Sequence, residues 1–170
     1  MQYRRAYSRG GCYFFTLVTH QRNPILCDDD TITVLRNAFK NVIHKRPFSI
    51  NAMVVLPDHL HCIWTLPKDD HDFSTRWRLV KTWFTKHSVA HRDAGGGKIW
   101  QNRYWEHLIR NEKDFQHHVD YIHYNPVKHG CVNRVSDWQY SSFLQFVKAG
   151  LYDEGWGVSE IELPAGVGKE

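Results

Sequence analysis

The sequence predicts an α+β fold built on an antiparallel sheet, and three observations carry the prediction. Aromatic and β-branched runs of strand length alternate with longer stretches whose apolar residues recur at helical spacing. Clusters of proline, glycine and aspartate punctuate them. Two of the strand-like runs are separated only by Pro57 and Asp58, which is turn chemistry, so they form a hairpin.

Each element follows in order. "CYFFTLVTH" (12–20) is aromatic and β-branched, and reads as the first strand. "NPILCDDD" is a loop in which Asp28, Asp29 or Asp30 can cap a helix over 31–46, where Ile32, Leu35, Phe39, Val42 and Ile43 share one face. Pro47 ends that helix. "FSINAMVVL" (48–56) and "HLHCIWTL" (59–66) are the hairpin strands. After the loop "PKDDHD" a helix over 73–90 aligns Phe73, Trp77, Val80 and Phe84. The glycine-rich stretch 92–98 leads to a fourth strand, "RYWEHLIR" (103–110). Asn111 or Asp114 caps a helix over 112–124 that ends before Pro126. A short helix at 141–149 precedes a tail, 151–170, that is expected to be loosely held, so the folded domain spans 1–150. The order β-α-β-β-α-β plus a further helix is a ferredoxin-like plan, with two helices on one face of the sheet. Many activities use this plan, so function must be argued from a site.

Composition narrows the classes. Hydrophobic residues make up 42% and aromatic residues 14%, with 7 Trp, which is ample for a core. The apolar runs are far too short to span a membrane, and no leader pattern opens the sequence, so the cytoplasm is the expected location. Cys12, Cys27, Cys62 and Cys131 form no C-x-x-C pair, which argues against a zinc knuckle or a disulfide framework. The net charge is +4, and the tail's five acids against one lysine contribute −4, leaving +8 on residues 1–150. A basic body of this kind suits a polyanion partner.

"PDHLHCIW" (57–64) is the first chemical signal. His59 and His61 are two apart on a strand, so both imidazoles point to one face. Two neutral imidazoles can share a divalent metal. Taken alone the pair also reads as two polar residues opening a strand, in a chain with 12 histidines. Two ligands are too few for a structural zinc site. An added oxygen ligand and open positions for phosphate oxygens would suit Mg²⁺ or Mn²⁺.

"HVDYIHYNPVKHG" (118–130) is the second. Tyr121 and Asn125 are four apart and share a helix face. A phenol can be a nucleophile, and the amide oxygen of Asn125 can be the missing hard ligand. Tyr121 also reads as a packed residue of an amphipathic helix, and Asn125 as the helix end before proline. Tyr124 lies on another face.

With these motifs in view, the chain resembles the HUH-type single-strand tyrosine transposases of bacterial insertion sequences, and among them the REP-associated branch. The segments that carry the resemblance are "YRRAYSRGGCYFFTLVT", "VVLPDHLHCIW", "WQNRYWEHLIRNEKDF", "YIHYNPVKHG" and "DWQYSS", spread over about 3–142. The resemblance implies that His59 and His61 are metal ligands, that Tyr121 is the catalytic nucleophile and that Asn125 is a polar third ligand. It implies Mg²⁺ or Mn²⁺ as cofactor and single-stranded DNA hairpins of palindromic repeats as substrate, cut through a 5′-phosphotyrosine. Such a protein is expected at the nucleoid when bound to DNA, as a monomer or a dimer, with the monomer favoured. Two rivals stand beside this reading: a replication- or conjugation-initiator nuclease, and a hairpin-binding protein without catalysis.

Candidate DNA contacts come from cations near aromatic residues. Arg4, Arg5 and Arg9 interleave with Tyr3 and Tyr7, an arrangement suited to single strands. Arg76, Arg78, Lys81 and Lys86 can form a phosphate stripe on the second helix. Arg103 and Arg110 flank the fourth strand, and Lys128 and Arg134 follow the tyrosine helix. The acidic tail is a candidate cover for a basic groove, competing with DNA.

Overall fold

A computed structural model describes residues 7–89, 92, 95–159 and 161–168. Strands β1 (Cys12–Val18), β2 (Ser49–Val55), β3 (His59–Thr65) and β4 (Trp105–Leu108) form one sheet in the order β2-β3-β1-β4. Every neighbouring pair is antiparallel. Helices α1 (Asp29–Lys45) and α2 (Phe73–His87) are the crossovers, α3 (Glu112–Lys128) follows β4, and α4 (Phe143–Lys148) is short. This is the ferredoxin-like plan with the added helix. No helix among the described residues is long and apolar enough to cross a membrane.

Strand parity sorts the two faces. Tyr13, Phe15 and Leu17 of β1 and Leu60, Cys62 and Trp64 of β3 join α1 and α2 in the larger core. Phe14 and Ile63 turn to the other face, where Val119, Tyr121 and Ile122 of α3 pack on them. His59 and His61 have the parity of Ile63, so the sheet delivers both rings to the α3 side.

The caps follow the sequence. The Asp28 side chain accepts from the Thr31 N–H, and the Asn111 side chain from the Asp114 N–H. Two boundaries near the tyrosine helix differ from expectation. Strand β4 is shorter, because the Arg110 N–H is taken by the Asp114 carboxylate instead of a ladder partner. Helix α3 runs through Pro126 to Lys128. Proline removes only one donor, and His129, Gly130 and Cys131 donate to Asn125, Val127 and Pro126, so the last turn closes regardless. Gly130, with φ of 68°, then ends it.

The tail departs most. Expected to be loose, it packs on α3: the Tyr152 ring meets His123, Phe143 and Phe146, and its hydroxyl donates to Asp120. Trp156 stands against Tyr124, and Leu163 and Val167 join the smaller core.

Residues 138–142 cover the outer edge of β2. The Val55 N–H donates to the Tyr140 carbonyl, the Ser142 N–H to that of Met53, and the Trp138 indole to that of Val55. Covering an edge this way removes a template for strand pairing with another chain.

Candidate metal and tyrosine site

On the α3 side of the sheet the two histidines stand with ring centroids 4.9 Å apart. Both are buried. Each ring is held at Nδ1. His59 Nδ1 is 2.6 Å from a carboxylate oxygen of Asp58, and His61 Nδ1 is 2.8 Å from the Thr16 hydroxyl. Thr16 lies directly across from His61 in the β1–β3 register. Such contacts fix the orientation of each ring, as second contacts of this kind do for histidines that bind cations. Burial raises the Asp58 carboxyl, but the His59 hydrogen bond and charge, with the Arg22 pair, outweigh it and hold the group below the ordinary aspartate value. Asp58 therefore stays an anion beside His59.

Helix α3 brings Tyr121 over the pair. Its ring meets His61 edge to face at 5.1 Å. The Lys128 ammonium, two turns on along α3, donates to the Tyr121 hydroxyl at 3.2 Å and lies 4.7 Å from the ring centre. The Tyr121 hydroxyl donates to the Gly168 carbonyl at 3.1 Å, so the tail reaches the phenol. Gly168 has φ of 67°, and a Cβ there would collide with the Tyr121 ring. Tyr121 is only 1% exposed beneath this cover.

Asn125 is fully buried, and neither amide atom has a hydrogen-bond partner. A buried amide of this kind is costly unless something satisfies it. That cost, and its position one turn beyond Tyr121, fit a metal-ligand role. His129, at the end of α3, stands edge-on to His59 with centroids 5.0 Å apart.

The cations sort differently from expectation. Arg9, Arg103 and Arg110 are exposed. Arg4 and Arg5 lie outside the described residues. Arg76 is not part of a surface stripe: it is 1% exposed, pairs with Asp70, and donates to the carbonyls of Arg46, Pro47 and Asp72. Lys81 donates to the Gln101 carbonyl at 2.7 Å, on the face of the sheet away from the histidines. Lys128, expected on DNA, contacts the tyrosine.

The family model described as "Transposase IS200 like" matches residues 10–125. A REP-associated tyrosine transposase of Escherichia coli K12 is 50% identical over 165 residues, which are 97% of this chain and 96% of that one. This chain belongs to the IS200-like transposase family. A relative from Haemophilus influenzae is 44% identical over 166 residues, 91% of this chain and 92% of its own. A solved structure of a REP-associated tyrosine transposase bound to a REP hairpin superimposes with a TM-score of 0.82 at 47% identity, covering 99% of both chains. The chain is thus an enzyme of a DNA-transposing family.

Asp58, Thr16 and Gly168 were not singled out from the sequence. Asp58 sits beside His59 and was read only as a turn residue. Thr16 becomes visible once the β1–β3 register is known. Nothing local marks Gly168, whose role is a tertiary contact.

The Asp58 contact makes a prediction. Asp58→Asn removes the anion from His59 and is expected to weaken Mn²⁺ binding about 10-fold or more, the usual effect of losing such a partner. Calorimetric Mn²⁺ titration of both proteins checks it, and equal affinities would count against an orienting role.

Proposed function

We propose that this protein cuts and rejoins single-stranded DNA hairpins of the palindromic-repeat kind through a covalent bond to Tyr121. The observation that carries the reading is the Tyr121 phenol standing beside His61 within one chain, with Lys128 on its hydroxyl. The hairpin in the related structure supports the substrate class.

The residues divide the work. The Tyr121 oxygen attacks the scissile phosphorus as its proton passes to solvent, and the departing 3′ oxygen takes up one proton from solvent. The bond from phosphorus to the 3′ oxygen breaks, giving a 5′-phosphotyrosine and a free 3′-OH. The phosphate ester energy is kept in the new bond, so a 3′-OH can reverse the step without a nucleotide cofactor. Lys128 puts a positive charge beside the oxygen that becomes negative as the proton departs. His59, His61 and Asn125 would hold Mg²⁺ or Mn²⁺, which would polarise the phosphate. Asp58 and Thr16 keep the two rings turned toward that position. Arg9, Arg103 and Arg110, exposed and cationic, are the proposed phosphate contacts, with Arg4 and Arg5 beyond the described residues and Lys81 more remote. One chain supplying both histidines and the tyrosine favours a monomer as the working unit.

A denaturing-gel assay tests the proposal. A labelled single-stranded hairpin, drawn from palindromes near the gene, is incubated with Mn²⁺, Mg²⁺ or EDTA. The expected result is a metal-dependent protein–DNA band that Tyr121→Phe lacks. Hairpin binding with neither band nor cleavage under either metal would favour a binding protein on a transposase scaffold.

A further inference from the structure

We propose that His107, Asp114 and His118 form a second metal site, suited to a zinc-class ion and separate from the His59–His61 pair. The three residues offer ligand atoms that all lie within 4.8 Å of one another, the one such group of histidine, cysteine and acidic residues among the described residues. His107 Nε2 is 2.9 and 3.1 Å from the two Asp114 carboxylate oxygens. His118 Nδ1 is 3.1 Å from the nearer carboxylate oxygen. The two imidazoles stack in near-parallel, with centroids 4.5 Å apart and 17° between planes, so both address the same carboxylate.

The donor set selects the ion. Two imidazoles and one carboxylate are too rich in nitrogen for Mg²⁺ or Ca²⁺, and suit Zn²⁺ or its neighbours. Ligand bonds near 2.0–2.2 Å require donor atoms roughly 3.3–3.5 Å apart in a tetrahedral site, so the two nitrogen-to-carboxylate separations need widen only slightly, while the two imidazole nitrogens start no more than 4.8 Å apart. The group is built for entry from one side. The side chains of His107 and Asp114 are 26% and 19% exposed, while that of His118 is 4% exposed. A fourth position therefore faces solvent. Each neutral imidazole needs only the tautomer whose proton sits on the nitrogen away from the ion. His118 would give up its 2.8 Å bond to the Asp114 carbonyl.

The placement gives the site a purpose. His107 is on β4, while Asp114 and His118 are one turn apart near the start of α3. An ion held by all three would clamp the helix that carries Tyr121 to the sheet. The clamp is coupled to the tyrosine site through Phe14, whose ring touches His118 at 4.8 Å, His61 at 5.5 Å and Tyr121 at 6.0 Å between centroids. This inference does not depend on the proposed chemistry at Tyr121.

Metal binding to chelator-stripped full-length protein decides it. The background is the double variant His59→Ala/His61→Ala, which isolates the second group. We expect that protein to bind one equivalent of Zn²⁺ and to show the visible absorption of tetrahedral Co²⁺. Adding His107→Gln should abolish both. His107→Cys is the complementary variant: it keeps a zinc ligand, and should retain binding while adding a thiolate-to-cobalt band in the near ultraviolet. Circular dichroism without metal checks that each variant folds. Absence of Zn²⁺ and Co²⁺ binding in the double variant would overturn the proposal and leave a metal-free His–Asp–His brace. Binding that persists in His107→Gln, with no new band in His107→Cys, would overturn it as well.

Discussion

Mixing His59→Ala protein with Tyr121→Phe protein is expected to restore no hairpin cleavage. Each variant alone should fall by about 10³-fold or more, since each removes a group acting on the transition state, and 10³-fold corresponds to about 4 kcal/mol. Where active sites are shared between chains, such a mixture regains activity, because one hybrid site receives the intact histidines of one chain and the intact tyrosine of the other. Here the Tyr121 ring meets His61 of its own chain at 5.1 Å, and α3 is packed on the sheet through Val119 and Ile122. Exchange of α3 between chains would require that packing to come apart. Single-turnover cleavage of the labelled hairpin, with the two variants mixed in equal amounts before DNA is added, provides the measurement. A mixture that cleaves well above either variant would mean that two chains build each site.

Removing residues 166–170 is expected to raise cleavage by about tenfold or more, a change equivalent to about 1.4 kcal/mol. In the intact chain the Tyr121 hydroxyl spends its hydrogen bond on the Gly168 carbonyl, and the ring is 1% exposed. A phosphate can reach that oxygen only after the tail leaves, so the observed rate is scaled by the fraction of open protein. The contact is made by a backbone carbonyl, so the tail's acids are not what touches the tyrosine. The truncation keeps Tyr152 and Trp156, whose rings support α3 and α4. Gly168→Ala supplies an independent arm. Its Cβ would collide with the Tyr121 ring, so the substitution should open the site without shortening the chain. Unchanged cleavage and unchanged hairpin affinity in both proteins would dismiss the covering role.

Much of the fold was legible because local signals and global packing agree. The parity of "HLHCIW" already placed His59 and His61 on one face, and that face is the one α3 covers. The four-residue step from Tyr121 to Asn125 likewise survives in the structure. What escaped depends on contacts between distant segments. Pro126 reads as a helix stop, yet its missing donor is tolerated in a last turn that Gly130 closes. Arg76 has the spacing of an exposed cation, but the loop carbonyls of Arg46 and Pro47 and the Asp70 carboxylate gather around it. Lys128 is seven residues from Tyr121 and so two turns along the same face. Its charge suggested DNA, while its geometry directs it to the phenol. The tail reads as acidic and loosely held, and its anchors, Tyr152 and Trp156, gain their value only from the aromatic pocket on α3 and α4.

The Gly168 cover is joined to the tyrosine it covers by an unbroken chain. Its local concentration is set by that tether, and diluting or overproducing the protein leaves it unchanged. A repressor acting from another molecule would be titrated as gene copies accumulate. A cover carried in cis is not: ten copies of the gene give ten times the protein, each molecule equally restrained. For a protein whose family moves DNA, a cover that slows cleavage would pass with every copy, independent of dosage, and would be tuned by a substitution at Gly168.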